Sequence, residues 1–437
     1  MTNKTKQIID RLISPKILIT NHFVNAQNLG DLALVEAIIS QMREIFDNPE
    51  IILESENPEL SKQYFRSVPI VERLFAIRNI KLAKNIYSFD FILKNLPQMF
   101  RLFFILINYY LFRFLGLNLL NQQVLKEYQS ADLILMIGGD YLSKYYAYKL
   151  RFMEIELAKS LKKPIILYAH SVGPFKNYDI AYSKRVLSMT DGVFARDEKS
   201  QMLLIEYGVD KKKIFRTADS VLLMKTSSSN SAKNLVTKLN IDKNTIGLVI
   251  RDNGFSQMED TGYQKYLDGM KLYVDFILEN GFKLVFIAPN NSDILATHKF
   301  AKEYNYNLPI FYTRDLQPEE AKYVLSKFKI VISPRMHPLI ITSSTGVPVI
   351  GIGLEFKTLN YLTLVGLEKY CQKMDDFDIN NAKQAFNELN ANYETICQDL
   401  EVKIGLVQEK SKLNMSLTKE IYSKYAHSQK SPSLTRN

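Results

Sequence analysis

Short apolar runs alternate with longer amphipathic segments along almost the whole chain, which is the pattern of strands and helices in a layered α/β fold. Runs at 16–20 (KILIT), 51–55 (IILES), 133–137 (LILMI), 164–169 (PIILYA), 192–195 (GVFA) and 213–216 (KIFR) predict a first series of strands. A second series follows at 246–250 (IGLVI), 283–288 (KLVFIA), 307–311 (NLPIF), 329–333 (KIVIS) and 347–352 (VPVIGI). Between them the polar, Ser-rich and aperiodic KTSSSNSAKN reads as a linker. The organisation predicted is a first domain over 1–223 with an apolar helical insertion at about 67–130, a linker at 224–244, a second domain over 245–412, and a helix end with a disordered tail at 413–437. The polar segment 380–412 reads as one or two helices. The fold class is α/β, with two Rossmann-like doubly wound domains facing a central cleft. In such sheets ligands sit beyond the carboxyl ends of the strands.

The residues at those strand ends are therefore the candidates for chemistry. After the first strand comes NLGDLALVEAII, where Asn28 and Gly30 suit a tight turn and Asp31 can cap the helix that follows. MIGGDYLS places Gly138, Gly139 and Asp140 where the backbone can be approached closely. YAHSVGPF delivers His170, Ser171 and Gly173, and His170 is either a titratable site group or a hydrogen-bonded core histidine. ARDEKS puts Arg196 at a strand end, either functional or tying loops together, with Asp197 as a cap. ADS around Asp219 ends the first domain in the same way.

The second domain is more pointed. IGLVI runs into Arg251 and Asp252, and KIVIS runs into Pro334, Arg335, Met336 and His337. Two guanidinium forks suit a ligand carrying a carboxylate and a phosphate, and a histidine two residues beyond the second can give or take a proton near neutral pH. LIITSSTGVPVIGIG reads as an apolar helix with a hydroxyl-rich end that holds Ser344, then a Gly and Pro turn into a buried strand, and a small-residue helix start facing the cleft would offer amides to a phosphate. Glu355 and Lys357 follow the last strand.

Composition narrows the picture. The chain has 437 residues, 46% of them hydrophobic and 23% charged, with only 17 Gly and 14 Pro, which excludes collagenous and disordered classes. Cys371 and Cys397 are single and far apart, so they predict neither a redox pair nor a zinc cluster, and a reducing cytoplasm fits them. No metal site is expected. GxGxxG and GxxxxGK[ST] are both absent, which weighs against a dinucleotide or a P-loop triphosphate. The net charge of +10 favours anionic partners, but the basic residues are dispersed, which argues against nucleic acid.

The N-terminal stretch lacks the apolar core and cleavage site of a signal peptide. Leu102–Phe112 (LFFILINYYLF) is uncharged and flanked by Arg101 and Arg113, too short for the roughly 20 residues of a bilayer span. Two readings stand: a helix buried against its domain, or a helix in the membrane interface with its arginines at the headgroups.

Taken in order, NLGDLAL, MIGGD, HSVGPF, ARDEKS, ADS, the strand ending at Arg251, and SPRMHPLIITSSTGVPVIGIG with Lys357 resemble the polysaccharide pyruvyltransferase family over about residues 15–365. The resemblance implies a fold like that of the two-domain GT-B glycosyltransferases. It implies phosphoenolpyruvate as co-substrate with no resident cofactor, and a product carrying a pyruvate ketal on a sugar of a cell-surface glycan or its lipid-linked precursor. It further implies His337 as general acid/base and Arg251, Arg335, Ser344 and Lys357 on the donor. Asn28, Gly30, Asp31, Gly138, Gly139, Asp140, His170, Ser171, Arg196 and Asp219 would line the acceptor side or the cleft. The expected setting is cytoplasmic, with peripheral contact at the inner membrane face. The sequence departs from the family pattern at Asp140, where a third small residue is frequent, at His170, where Gln is common, and in the long apolar 67–130 region. The alternatives are a GT-B-type glycosyltransferase or sugar-nucleotide epimerase, and a non-catalytic glycan-assembly protein.

Overall fold

The computed structural model describes residues 14–22, 27–74, 103–104, 106–107, 109–111, 121–254, 258–353 and 356–428. The chain forms two compact units. One comprises Met1–Asn25, Ile38–Thr217 and Leu413–Asn437; the other comprises Ala26–Ala37 and Ala218–Lys412.

The strands of the first unit are β1 (Lys16–His22), β2 (Glu50–Ser55), β3 (Ile70–Glu72), β4 (Leu133–Met136), β5 (Gly139–Leu142), β6 (Ile165–Val172), β7 (Gly192–Ala195) and β8 (Ile214–Arg216). They are joined by helices α1 (Leu29–Ile45), α2 (Pro58–Tyr64), α3 (Gln122–Ser130), α4 (Tyr148–Ser160), α5 (Ile180–Leu187) and α6 (Glu198–Glu206). Every pairing is parallel, in the order β3-β2-β1-β4-β6-β7-β8 with β5 beside β6. Parallel neighbours need crossovers, and the helices supply them. The consecutive residues Leu133 to Met136 and Ile165 to Ala169 are fully buried, so this sheet is covered on both faces.

The second unit has α7 (Asn230–Lys238), β9 (Thr245–Val249), α8 (Asp260–Glu279), β10 (Lys283–Ala288), α9 (Asn291–Glu303), β11 (Ile310–Tyr312), α10 (Pro318–Leu325), β12 (Ile330–Ser333), α11 (Met336–Ser343), β13 (Val349–Gly353), α12 (Phe356–Leu364), β14 (Cys371–Lys373), α13 (Ile379–Ala391) and α14 (Tyr393–Ser428). Its all-parallel sheet runs β11-β10-β9-β12-β13-β14, so the strand order reverses between β9 and β12. That reversal splays the two following loops apart at the carboxyl edge. Tyr273 on α8 and Phe386 on α13 pack edge to face at 6.4 Å within its core.

Two boundaries differ from the sequence reading. The chain changes units at 217/218, and the expected linker 224–244 lies inside the second unit and carries α7, because Ser229 caps it by accepting from the Ala232 amide at 3.1 Å. Residues 26–37, expected in the first domain, count with the second. The expected insertion lies largely outside the described residues, as does the tail beyond Ser428.

Candidate functional site

In the second unit the site grows from the β9/β12 reversal. Arg251 lies two residues past the end of β9, and its Nη1 donates to the Pro334 carbonyl after β12 at 3.4 Å. Arg335 is held by a carboxylate clamp: its Nε donates to Asp293 Oδ2 at 2.9 Å, and its Nη2 donates to Asp293 Oδ1 at 2.6 Å and to Asp252 Oδ1 at 2.7 Å. Nη1 is not among the donors these bonds use. Burial by itself would lower the guanidinium's pKa, but Asp293 and Asp252 more than offset it and the net direction is up. Burial pushes the Asp293 carboxyl up against the opposing pull of Arg335. Ser292 and Asn290 complete the clamp, donating to Asp252 Oδ1 at 3.0 Å and to Asp293 Oδ2 at 2.7 Å.

His337 lies in the first turn of α11, two residues past this clamp. Its Nε2 is 3.9 Å from Asp219 Oδ2, with both side chains largely buried. Asp219 is fixed from two sides: its Oδ1 accepts from the Val221 amide at 3.0 Å, and its carbonyl accepts from Ser411 Oγ at 2.8 Å. Against the other edge of the imidazole lies Gly30, where an added Cβ would sit 2.2 Å from His337 Nδ1. The Leu29 amide donates to the Pro289 carbonyl at 2.9 Å, which ties the start of α1 to the end of β10, and Asn28 Oδ1 accepts from the Gly30 amide at 3.0 Å. Two helix starts, those of α1 and α11, therefore meet at His337, and helix starts favour anions. Asp31 follows in the first turn of α1.

Asn28, Gly30, Asp31 and Asp219, expected with the acceptor side, are thus built into the same unit as Arg251, Arg335 and His337. Ser344 is not brought to them. It ends α11, about 10 Å further along the axis than His337 at a rise of roughly 1.5 Å per residue, and its Oγ donates to the Ile341 carbonyl at 2.7 Å. The hydroxyl-rich stretch is the end of α11, as the sequence reads, and a helix end presents carbonyls and not free amides. Ser344 instead lines, with Thr345, Glu394, Glu401 and Gln408, an open concavity of about 790 Å³ beside α14. Lys357 stands at the start of α12, past the end of β13 and one strand over from β12. Glu355 lies outside the described residues.

In the first unit, the other expected residues cluster at the carboxyl edge of the sheet. A Cβ on Gly138 would lie 2.5 Å from the Ala169 carbonyl oxygen, which explains a glycine there as a close backbone approach. Gly139 takes φ +139 as β5 begins, and Asp140 accepts from Tyr146 Oη at 3.3 Å. His170 is fully buried, and burial together with Arg196 pushes its pKa down to about 3, so it is a neutral imidazole and not a group that titrates near pH 7. Arg196 ties loops: its Nε donates to Ser171 Oγ at 2.9 Å, and Ser171 donates to Asp197 Oδ2 at 2.5 Å.

Asp293 and Ser292 escaped the sequence reading because NNSD at a helix start looks like simple capping. Asn290 does cap α9, and the second role of Asp293 needs Arg335 from elsewhere in the chain. Among the described residues there is no His, Cys, Asp and Glu group able to hold a metal ion, and no helix long and apolar enough to cross a membrane.

Comparison with known proteins gives this site its setting. Anabaena HepE, solved with UDP and glucose, superposes with a TM-score of 0.52 at 11% identity, covering 95% of this chain and all of that one. The UDP-GlcNAc 2-epimerase of Neisseria meningitidis, bound to UDP-GlcNAc, gives 0.55 at 14%, covering 92% and 99%. At such identities these show the fold alone, that of the GT-B glycosyltransferases and epimerases. The amylovoran biosynthesis protein AmsJ of Erwinia amylovora is 22% identical over 296 residues, 64% of this chain and 70% of that protein. The family model for polysaccharide pyruvyl transferase matches residues 28–355, from the turn before Gly30 to just beyond β13, and the chain belongs to that family.

Proposed function

We propose that the chain transfers the enolpyruvyl-derived group of phosphoenolpyruvate onto two hydroxyls of one sugar in a polysaccharide or its lipid-linked precursor, forming a pyruvate ketal and releasing phosphate, on the cytoplasmic side. The observation that carries this reading is the placement of Arg251 and Arg335 at the β9/β12 reversal, where Arg251 reaches the Pro334 carbonyl at 3.4 Å, with His337 two residues past Arg335 and facing Asp219 at 3.9 Å.

Phosphoenolpyruvate carries a carboxylate and a phosphate on one carbon. Arg251 and the Nη1 of Arg335 are the donors for them, and the start of α11 adds its dipole to the phosphate side. The Asp252 and Asp293 clamp holds the Arg335 guanidinium in place before substrate arrives, so no reorganisation is needed as charge develops. His337 delivers a proton to the methylene carbon, and Asp219 stabilises the imidazolium that precedes transfer. C2 becomes electrophilic and one sugar hydroxyl bonds to it. The C2–O bond to phosphate breaks, and a second hydroxyl closes the ketal. Of the two protons the hydroxyls lose, one replaces that given to the methyl group and the other leaves with phosphate. Lys357 joins the donor side. In the first unit Asp140, beside Gly138 and Gly139, is the acceptor-side carboxylate for a sugar hydroxyl, and no resident cofactor takes part.

The test uses His337→Asn with phosphoenolpyruvate and a lipid-linked glycan fraction from producing cells. Donor binding should persist while phosphate release falls by about 10²–10⁴-fold, the usual worth of a positioned acid/base. Undiminished phosphate release would remove His337 from the chemistry.

A further inference from the structure

The described residues 103–104, 106–107 and 109–111 are helical and present two unlike sides. Leu106 packs on the hydrophobic core, and Tyr109, 4% exposed, donates from Oη to Glu156 Oε2 on α4 at 2.5 Å. The opposite side carries Phe103, Phe104 and Tyr110, exposed by 57%, 59% and 53%. The described residues of the segment are thus anchored on one side and open on the other. Anchoring leaves three large aromatic rings in water, which a soluble surface ordinarily avoids.

Two ion pairs on the helices beneath it bury the acid and expose the cation. Arg185 on α5 pairs with Glu156 at 2.8 Å, and the arginine side chain is 52% exposed while the carboxylate is 4% exposed. Lys149 pairs with Asp179 at 2.8 Å, with exposures of 55% and 8%. Lys149 and Lys176 both reach the ring of Tyr178, which is itself 74% exposed. Tyr182 lies under the Arg185 guanidinium and donates to Glu156 Oε2 at 3.3 Å, the carboxylate that also holds Tyr109 and Arg185. Glu156 and Asp179 are buried, while Arg185, Lys149 and Tyr178 are exposed.

We infer that this face docks on an anionic phospholipid bilayer. Outward cations complement headgroup charge, and exposed Phe and Tyr suit the headgroup–acyl boundary, where rings are enriched. Phe103 and Phe104, with Ile107 and Leu111 half-buried behind them, give the patch an apolar side that a purely electrostatic partner would leave wet. The inference is independent of the donor site, which lies in the other unit.

The experiment is co-sedimentation of the full chain with vesicles of phosphatidylcholine alone and of phosphatidylcholine with phosphatidylglycerol. The account expects binding to the anionic vesicles that weakens with salt. Phe103→Glu with Phe104→Glu should weaken it by about tenfold or more, given the apolar area withdrawn. Lys149→Gln with Lys176→Gln should weaken it less and flatten the salt dependence. Because Phe103 and Phe104 are exposed, their variant should keep the wild-type melting temperature, and both variants should keep the response to phosphoenolpyruvate, which separates this test from that of the donor site. Absence of vesicle binding, binding unchanged in the Phe variant, or use of the same residues for self-association or single-stranded nucleic acid would each overturn the inference.

Discussion

Gly30→Ala is a small change with a large expected effect, because of where the added methyl must go. It would lie 2.2 Å from Nδ1, 2.5 Å from Cγ and 2.8 Å from Cβ of His337, against 3.4 Å for an ordinary contact. Rotation about χ1 can carry the ring away, but it cannot move Cβ, so the start of α11 or of α1 must shift by several tenths of an ångström. On helix propensity alone, alanine would stabilise α1 by roughly 0.5–1 kcal/mol. Overpacking costs about 1–3 kcal/mol and sets the sign the other way, so net destabilisation of about 1 kcal/mol is expected. The catalytic effect should exceed it. Displacing an acid/base group by about 1 Å can cost on the order of 10²-fold in rate. Calorimetry gives the first quantity, and phosphate release from phosphoenolpyruvate in the presence of acceptor gives the second. A Gly30→Ala enzyme with wild-type turnover would refute the placement of His337 at the reacting carbon.

Other perturbations separate structure from chemistry. Arg335→Ala leaves Asp293, fully buried, without its cation, and should cost about 3–5 kcal/mol even without ligand; adding Asp293→Asn should recover part of that in a denaturation curve. Burial pushes the Glu54 carboxyl up to about 8, so the folded state holds its proton where the unfolded state has lost it. That costs stability progressively as pH rises from about 4.5 to about 8, and Glu54→Gln should flatten denaturation midpoints across the window. His170 has the opposite window. Its folded pKa lies near 3, so stability falls as pH drops below about 6.5, and His170→Asn should reduce this acid loss without altering the alkaline side.

The central strands were legible because each buries a continuous apolar run between polar segments, as LILM and KLVFIA do. β3, β5 and β14 were not. Each has at most four residues, and β5 opens with a glycine and an aspartate, so pairing and not composition makes it a strand. The Ser-rich stretch looked like a linker because Ser and Asn disfavour helix interiors, yet Ser229 at a cap position nucleates α7. Arg251, Arg335 and His337 could be read from their places after strands, since the carboxyl edge of a parallel sheet is a fixed address. Their partners could not. Asp293, Asp219 and Gly30 reach them only through the β9/β12 reversal and the placement of 26–37 with the second unit, neither of which has a local signal. The serines of the hydroxyl-rich stretch come at the end of α11, where the apolar run followed by hydroxyls puts them, and Ser344 lies about two turns from His337.

The most direct test of the account is a thermal-shift titration with phosphoenolpyruvate beside UDP, on wild type and Arg251→Ala, since a ligand that binds the native state raises its melting temperature. Arg251 is the better probe because Arg335 holds the buried Asp293, so that its loss would also cost stability. The account predicts a rise with phosphoenolpyruvate that UDP does not compete away and that Arg251→Ala abolishes. Stabilisation by UDP with none by phosphoenolpyruvate would contradict it.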